Sequence, residues 1–256
     1  MLWKLVRTIT LTLLVQASSA LGLANEMCDN KPLALIVGVG DGLSASLARL
    51  LHSKGYRLAL ASRSPSKFAD LAHETEASSY SCDSSKIEDV EHLFSQIQEP
   101  LSVVIYNPSQ RVRGAIQDLD PTAVKNAMDV TAFGSFLVGQ KAAANMIQNE
   151  RGGTIIFTGA SAGVKGFPYS ATFAMGKFAQ RGLAESMARE LHPQNIHVCW
   201  VNIDGPIRNP GRTEPPENPD SMLDPNAIAQ TYWSIIQQDR SAWTNEIAVR
   251  PWVEKW

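Results

Sequence analysis

The sequence predicts one α/β domain, a doubly wound parallel sheet with helices on both faces. Three observations predict it. From Leu33 onward, short β-branched or apolar runs alternate with longer stretches of helical periodicity. The short runs are continuously apolar, as strands covered on both faces require. Glycines stand directly between the first run and the first helical pattern. Leu33 to Val37 is the first expected strand, and Leu43, Leu47, Leu50 and Leu51 form one buried helix face behind it. Further strands are expected at Arg57 to Ala61, Tyr80 to Cys82, Val103 to Tyr106, Thr154 to Thr158, Ile196 to Val201 and Ile247 to Val249. Helical patterns cover Val124 to Met146, Phe173 to Leu191 and Pro225 to Gln237. The Pro-rich polar stretch Arg208 to Asp224 is too long for an ordinary connection and is expected to lie over a substrate.

At 256 residues, with no internal repeat, the chain has room for one well-buried domain, expected over residues 30–256. A net charge of −2 with no run of like charge argues against a nucleic-acid partner, which would need a concentrated basic face. Cys28, Cys82 and Cys199 have neither metal spacing nor an even count, so Cys82 and Cys199 read as small packing residues. Residues 1–25 form a different region. Lys4 and Arg7 precede an apolar stretch from Ile9 to Val15 and small residues to Ala24. That profile suits a signal-like, anchoring or transit segment, with membrane association or processing into a membrane-bounded compartment; as a plain extension it would leave the protein cytoplasmic.

Gly38, Gly40 and Gly42 sit where a strand meets a helix N-terminus, the place at which free N–H groups and the helix dipole favour a pyrophosphate. The segment Gly38-Val-Gly-Asp-Gly42-Leu43-Ser44 resembles the glycine motif of the short-chain dehydrogenases/reductases, with Ser44 in place of the last glycine. Other matches follow in family order. Asp83, after the third strand, resembles the aspartate that bonds the adenine ring, and Asn107 resembles the asparagine of the Asn-Ala-Gly motif. The similarity runs from about Leu33 to about Ile207 and implies a Rossmann-type fold, a nicotinamide cofactor and a homo-oligomer paired through the helices at Val124 to Met146 and Phe173 to Leu191. The cofactor's identity follows from the end of the second strand. An acid there would suit NAD, whereas Ser62-Arg63-Ser64 offers a guanidinium and two hydroxyls to a 2′-phosphate, favouring NADP(H) over NAD(H).

The resemblance then breaks at the residues of its chemistry. The family's Tyr-x-x-x-Lys aligns with Phe173-Ala-Met-Gly-Lys177, its serine with Ala160, and its helix asparagine with Thr131. Lys177 alone keeps its identity, and with it the expected contact to the nicotinamide ribose; Ile207 resembles the residue whose backbone fixes the carboxamide. A phenyl ring and a methyl group cannot exchange a proton. Ser161, beside Ala160, and Tyr169, four residues before Phe173, are the neighbouring hydroxyls; a helix extended back to Tyr169 would put it on the face of Phe173 and Lys177. Gly205-Pro206-Ile207-Arg208 resembles a run in enoyl-thioester reductases of the same superfamily, which also displace their tyrosine. The expectation is an NADP(H)-dependent oxidoreductase acting on a small-molecule substrate, with Lys177 and Tyr169 at the reacting end and atypical proton delivery. Two alternatives stay open: a non-redox nucleotide-binding protein, and reduction of a carbon–carbon double bond.

Overall fold

The computed structural model describes residues 31–254. In chain order the elements are β1 (Leu33–Val37), α1 (Leu43–Ser53), β2 (Arg57–Ser62), α2 (Ala69–Glu74), β3 (Ser78–Ser81), α3 (Ile87–Gln96), β4 (Leu101–Tyr106), α4 (Pro121–Met128), a π-helical turn (Asp129–Phe133), α5 (Gly134–Gln148), β5 (Gly153–Thr158), α6 (Ala171–Leu191), β6 (Ile196–Ile203), α7 (Pro225–Ile236) and β7 (Glu246–Val249). The strands form one sheet in the order β3-β2-β1-β4-β5-β6-β7, and every neighbouring pair is parallel. The order reverses between β1 and β4, so the carboxyl ends of these two strands open the crevice where open α/β sheets take ligands.

Alternation along the strands builds two cores. Leu33, Leu35 and Val37 of β1 face α3, α5 and α6, joining Val104, Tyr106, Phe157 and Trp200. Ala34 and Ile36 face the other way, toward Leu47 and Leu51 of α1 and Ile228, Tyr232 and Ile235 of α7. Trp200, Tyr106, Tyr232 and Phe157 are the largest fully buried side chains. Cys82 and Cys199 are buried, and burial pushes both thiols up to about 12, which leaves them unreactive packing groups.

Two helices start on acidic caps. Asp120 accepts from the N–H groups of Thr122 and Ala123 ahead of α4, and Asp224 accepts from that of Asn226 ahead of α7, each with proline in the first turn. α1 has no side-chain cap; Gly42 precedes it, and Gly42, Leu43 and Ser44 line the crevice.

The helical pattern expected over Val124 to Met146 holds, with a π-helical turn at residues 129–133 set between α4 and α5 on one helical path. The buried Tyr106 phenol donates to the Val130 carbonyl and lies 3.0 Å from Ser84 Oγ, so it closes on a carbonyl of that turn. The helix of Phe173, by contrast, does not reach back to Tyr169, which corrects the shared face considered for it. It begins at Ala171, after a turn in which Ser170 N–H bonds the Phe167 carbonyl at 3.2 Å. Pro168 holds the second position of that turn and Tyr169, with φ of +59°, the third, as in a type II turn. The N-terminal segment 1–25, with the processing or membrane role expected of it, and Cys28 lie outside the described residues. Among the described residues no helix is long and apolar enough to cross a membrane.

Candidate active site

Two clefts meet above the carboxyl edge of the sheet, and Gly38, Asn107 and Ser109 line both. The smaller, about 620 Å³, lies over β2 and β3 and is lined by Ser62, Arg63, Ser64, Lys67 and Asp83. The larger, about 850 Å³, runs from the glycine loop across β5 and β6 to the start of α6. The expected cofactor residues therefore converge: Gly38, Gly40, Gly42, Leu43, Asn107, Ile207 and Lys177 along the larger cleft, and Ser62, Arg63 and Asp83 along the smaller.

The glycine loop shows why these residue types stand here. Gly38 has φ of +85°, and a Cβ on it would meet Pro108 at 2.7 Å, so protein packing alone requires this glycine. Gly40 differs: a Cβ there would meet nothing within 4 Å and would project into open space. Its lack of a side chain matters only to something outside the protein that approaches the backbone. Ser44, the departure from the glycine motif, is buried; its hydroxyl donates to the Gly38 carbonyl at 3.0 Å and accepts from Asn107 Nδ2 at 2.6 Å. Asn107 thus ties the end of β4 to the glycine loop through Ser44.

The smaller cleft has the donor set of a phosphate pocket, with two cations and two hydroxyls at the end of β2. Across from them, burial raises the Asp83 carboxyl, but hydrogen bonds from the Ser85 hydroxyl and N–H, with the charges of Arg63 and Lys86, outweigh it and hold the group below its ordinary value. An ionised acceptor is kept at the place expected to meet an adenine amine.

The reacting end is built differently. Ala160, Ala162 and Phe173 form a small buried apolar cluster, so the two positions that lack hydroxyls pack as methyl against phenyl. Thr131 lies in the π-helical turn, buried, and its Oγ1 accepts from the N–H of Gln110 at 3.0 Å. Lys177 is fully buried. Its Nζ donates to the Thr158 carbonyl and to Gln180 Oε1 at 3.1 Å, and Gln180 in turn bonds Ser135 Oγ at 2.9 Å. Burial, then the charge of Arg111, bring the ammonium down to about 7. Ser161 lines the larger cleft, as Ala160 beside it does. Tyr169 lines it too, at the mouth, 68% exposed and off the helix that carries Lys177.

Three cleft residues carried no signal that the sequence reading used. Arg111 and Arg113 follow β4, and Arg212 lies in a tight turn where Asn209 and Arg212 exchange backbone hydrogen bonds at 3.1 and 2.9 Å. The Arg111 guanidinium stacks over the Phe173 ring, 3.8 Å from its centroid. The spacing Arg-x-Arg, with no acid between Gln110 and Gln117, was the visible clue. Arg208, by contrast, is not a cleft residue. It pairs with Asp224 at 3.1 Å, and with the Ile207–Leu223 bridge it pins both ends of the long connection.

Residues 32–212 match the short chain dehydrogenase family. This chain belongs to it. An uncharacterised oxidoreductase of Staphylococcus aureus is 25% identical over 234 residues, covering 86% of this chain and 96% of that one. Among solved structures, a short-chain dehydrogenase from Rhodopseudomonas palustris is 30% identical with a TM-score of 0.75, over 86% of this chain and 99% of that one. An alcohol dehydrogenase from Thermococcus sibiricus, complexed with 5-hydroxy-NADP, shares the fold at 20% identity and a TM-score of 0.79, over 88% and 99% of the two chains. The Rossmann-type sheet and the oxidoreductase class expected from the sequence both stand.

Proposed function

We propose that this short-chain dehydrogenase is an NADP(H)-dependent oxidoreductase that moves hydride to or from a small organic substrate without the lysine-acidified phenol usual in its family. One contrast carries the reading: the nucleotide groove is lined from Arg63 to Lys177 by fitting groups, while positions 160 and 173 meet as methyl and phenyl. NADP(H), when bound, supplies or accepts the hydride. Ser62 and Arg63, with Ser64 and Lys67, would hold the 2′-phosphate; the uncapped first turn of α1 and the bare backbone at Gly40 suit the pyrophosphate. Asp83 would take the adenine, and Ile207 and Lys177 the nicotinamide end. The 5-hydroxy-NADP in the Thermococcus relative's complex supports a nicotinamide nucleotide in this groove.

Tyr169, the one tyrosine lining the larger cleft, is the proton source in this reading. It acts from the mouth, not along the helix face of Lys177, so the substrate's acceptor atom sits further out than in the family's usual geometry. Lys177, held on Thr158 and Gln180, steadies the cleft floor. Exposed Phe133, Phe136, Met175 and Phe178, on the turn before α5, on α5 and on α6, support pairing of two copies through those helices.

The test is NADPH oxidation against panels of carbonyls and activated alkenes. Tyr169→Phe is expected to lower turnover on the order of 100-fold with NADPH binding intact; unchanged turnover removes Tyr169 from the chemistry. A second reading, nucleotide binding without turnover, is favoured by the engagement of Lys177 with protein acceptors. Saturable quenching of tryptophan fluorescence by NADPH, with no substrate oxidising it, establishes that one.

A further inference from the structure

The larger cleft is cationic with no counter-ion of its own. Arg111, Arg113, Arg212 and Lys177 line it, and no aspartate or glutamate does. Among the described residues the ion pairs lie elsewhere, and none uses these three arginines. The three also feel one another. Burial first, then the charges of Arg113 and Arg212, lower Arg111 from its ordinary value. Like charges gathered without a partner are unfavourable, and an anion entering among them relieves that cost.

The substituted positions add a second line of argument. Phe173, in place of the family's tyrosine, is the platform on which the Arg111 guanidinium lies. Thr131, in place of its asparagine, bonds the N–H of Gln110, the residue before Arg111. Two of the three lost identities therefore now hold the segment that carries one arginine. A phenyl face suits a guanidinium plane, and a threonine acceptor fixes the loop behind it. Phe167, Pro168 and Tyr169 line the same cleft and offer apolar surface to the body of a ligand.

We propose that the substrate carries an anionic group, a carboxylate or a phosphate, held by Arg111 on its Phe173 platform with Arg113 and Arg212 beside it. This rests on the oxidoreductase reading of the same cleft. The cofactor's phosphates have other proposed places, at the α1 N-terminus and at Ser62 and Arg63, which leaves Arg111 over Phe173, with Arg113 and Arg212, to the substrate.

Matched probes test it: 4-carboxybenzaldehyde against its methyl ester, and phenyl phosphate against phenol. Binding is measured calorimetrically at low salt, with and without saturating NADPH. At least one anion is expected to bind about tenfold or more tighter than its neutral partner, because charge-assisted bonds to a guanidinium are strong. Whichever pair shows the larger gap separates carboxylate from phosphate. In Arg111→Gln combined with Arg212→Gln the gap is expected to close while the Kd for NADPH stays within about twofold. No gap in the natural protein, or a gap that survives the double substitution, overturns the proposal. So does a matching loss of NADPH affinity, which would give the arginines to the cofactor. A natural protein that binds no NADPH yet keeps the gap sinks the oxidoreductase reading and leaves the anion site standing.

Discussion

The two ends of the crevice depart from their family to different degrees. Over β1 to β3, the groups proposed to face a nucleotide sit at strand ends or in the first residues after them: Gly38 and Gly40, Ser62 and Arg63, Asp83. The sheet fixes those positions, and much of what they offer is bare backbone or a charge of the right sign. Over β4 to β6, the family's chemistry needs particular side chains on α6 and the loops, placed within about an ångström of one another. That end has been rebuilt: methyl meets phenyl at Ala160 and Phe173, Lys177 bonds Thr158 and Gln180, and Arg111 covers the ring. On the proposed reading, cofactor binding and reaction chemistry are separable on one sheet.

The largest effect is expected at Arg63. Arg63→Glu replaces the cation proposed to hold the 2′-phosphate with the acid of an NAD site. NADPH affinity is expected to fall by about 100-fold, with NADH affinity unchanged or improved, as read by tryptophan fluorescence titration. Equal losses for both nucleotides would mean that Arg63 does not read the 2′-phosphate, and the nucleotide end would be as altered as the other.

Lys177 sharpens the comparison from the other side. Its ammonium is held down to about 7 by burial and by Arg111, whereas an unfolded lysine titrates near 10.4. Between those values the unfolded chain binds the extra proton, so stability rises with pH across that window; below about pH 7 the penalty for burying the charge is fully present. In Lys177→Met this dependence vanishes. The natural protein is expected to gain about 2 kcal/mol over the variant between pH 7 and pH 9 in urea unfolding. A parallel pair of curves would mean that Lys177 keeps an ordinary value and faces solvent.

Strand alternation made the fold legible, since continuous apolar runs leave little choice but a covered parallel sheet. β1 appears in the sequence with the ends it has in the structure, Leu33 and Val37. The reading failed where one residue changes the path. The π-helical turn inside the helical run Val124 to Met146 has no signature in its apolar pattern. At Tyr169, spacing to Phe173 and Lys177 suggested a shared face, yet Pro168 had already set a turn that a left-handed Tyr169 completes. The arginine cluster was invisible for another reason. Arg111 and Arg212 are about 100 residues apart, and only the folded chain brings both to one cleft.

The smallest expected effect probes whether the rebuilt end can be turned back. Ala160→Ser with Phe173→Tyr restores two hydroxyls on the cleft wall. Both side chains line the cleft but are buried, so hydroxyls placed there without a partner are expected to cost about 1–3 kcal/mol of stability. NADPH affinity should hold within about twofold, because neither position is among the residues proposed to hold the nucleotide. General acid catalysis is worth about 100-fold or more when well placed. Here the restored phenol would have Arg111 over its ring, while Lys177 is bonded to Thr158 and Gln180 and charged only below about pH 7. Carbonyl reduction is therefore expected to rise by about tenfold at pH 6 and to fade as Lys177 loses its proton. A gain that persists unchanged to pH 9 would show that Lys177 still serves position 173 as an ammonium, and the two ends of the crevice would then differ by two substitutions rather than by a rebuilt network.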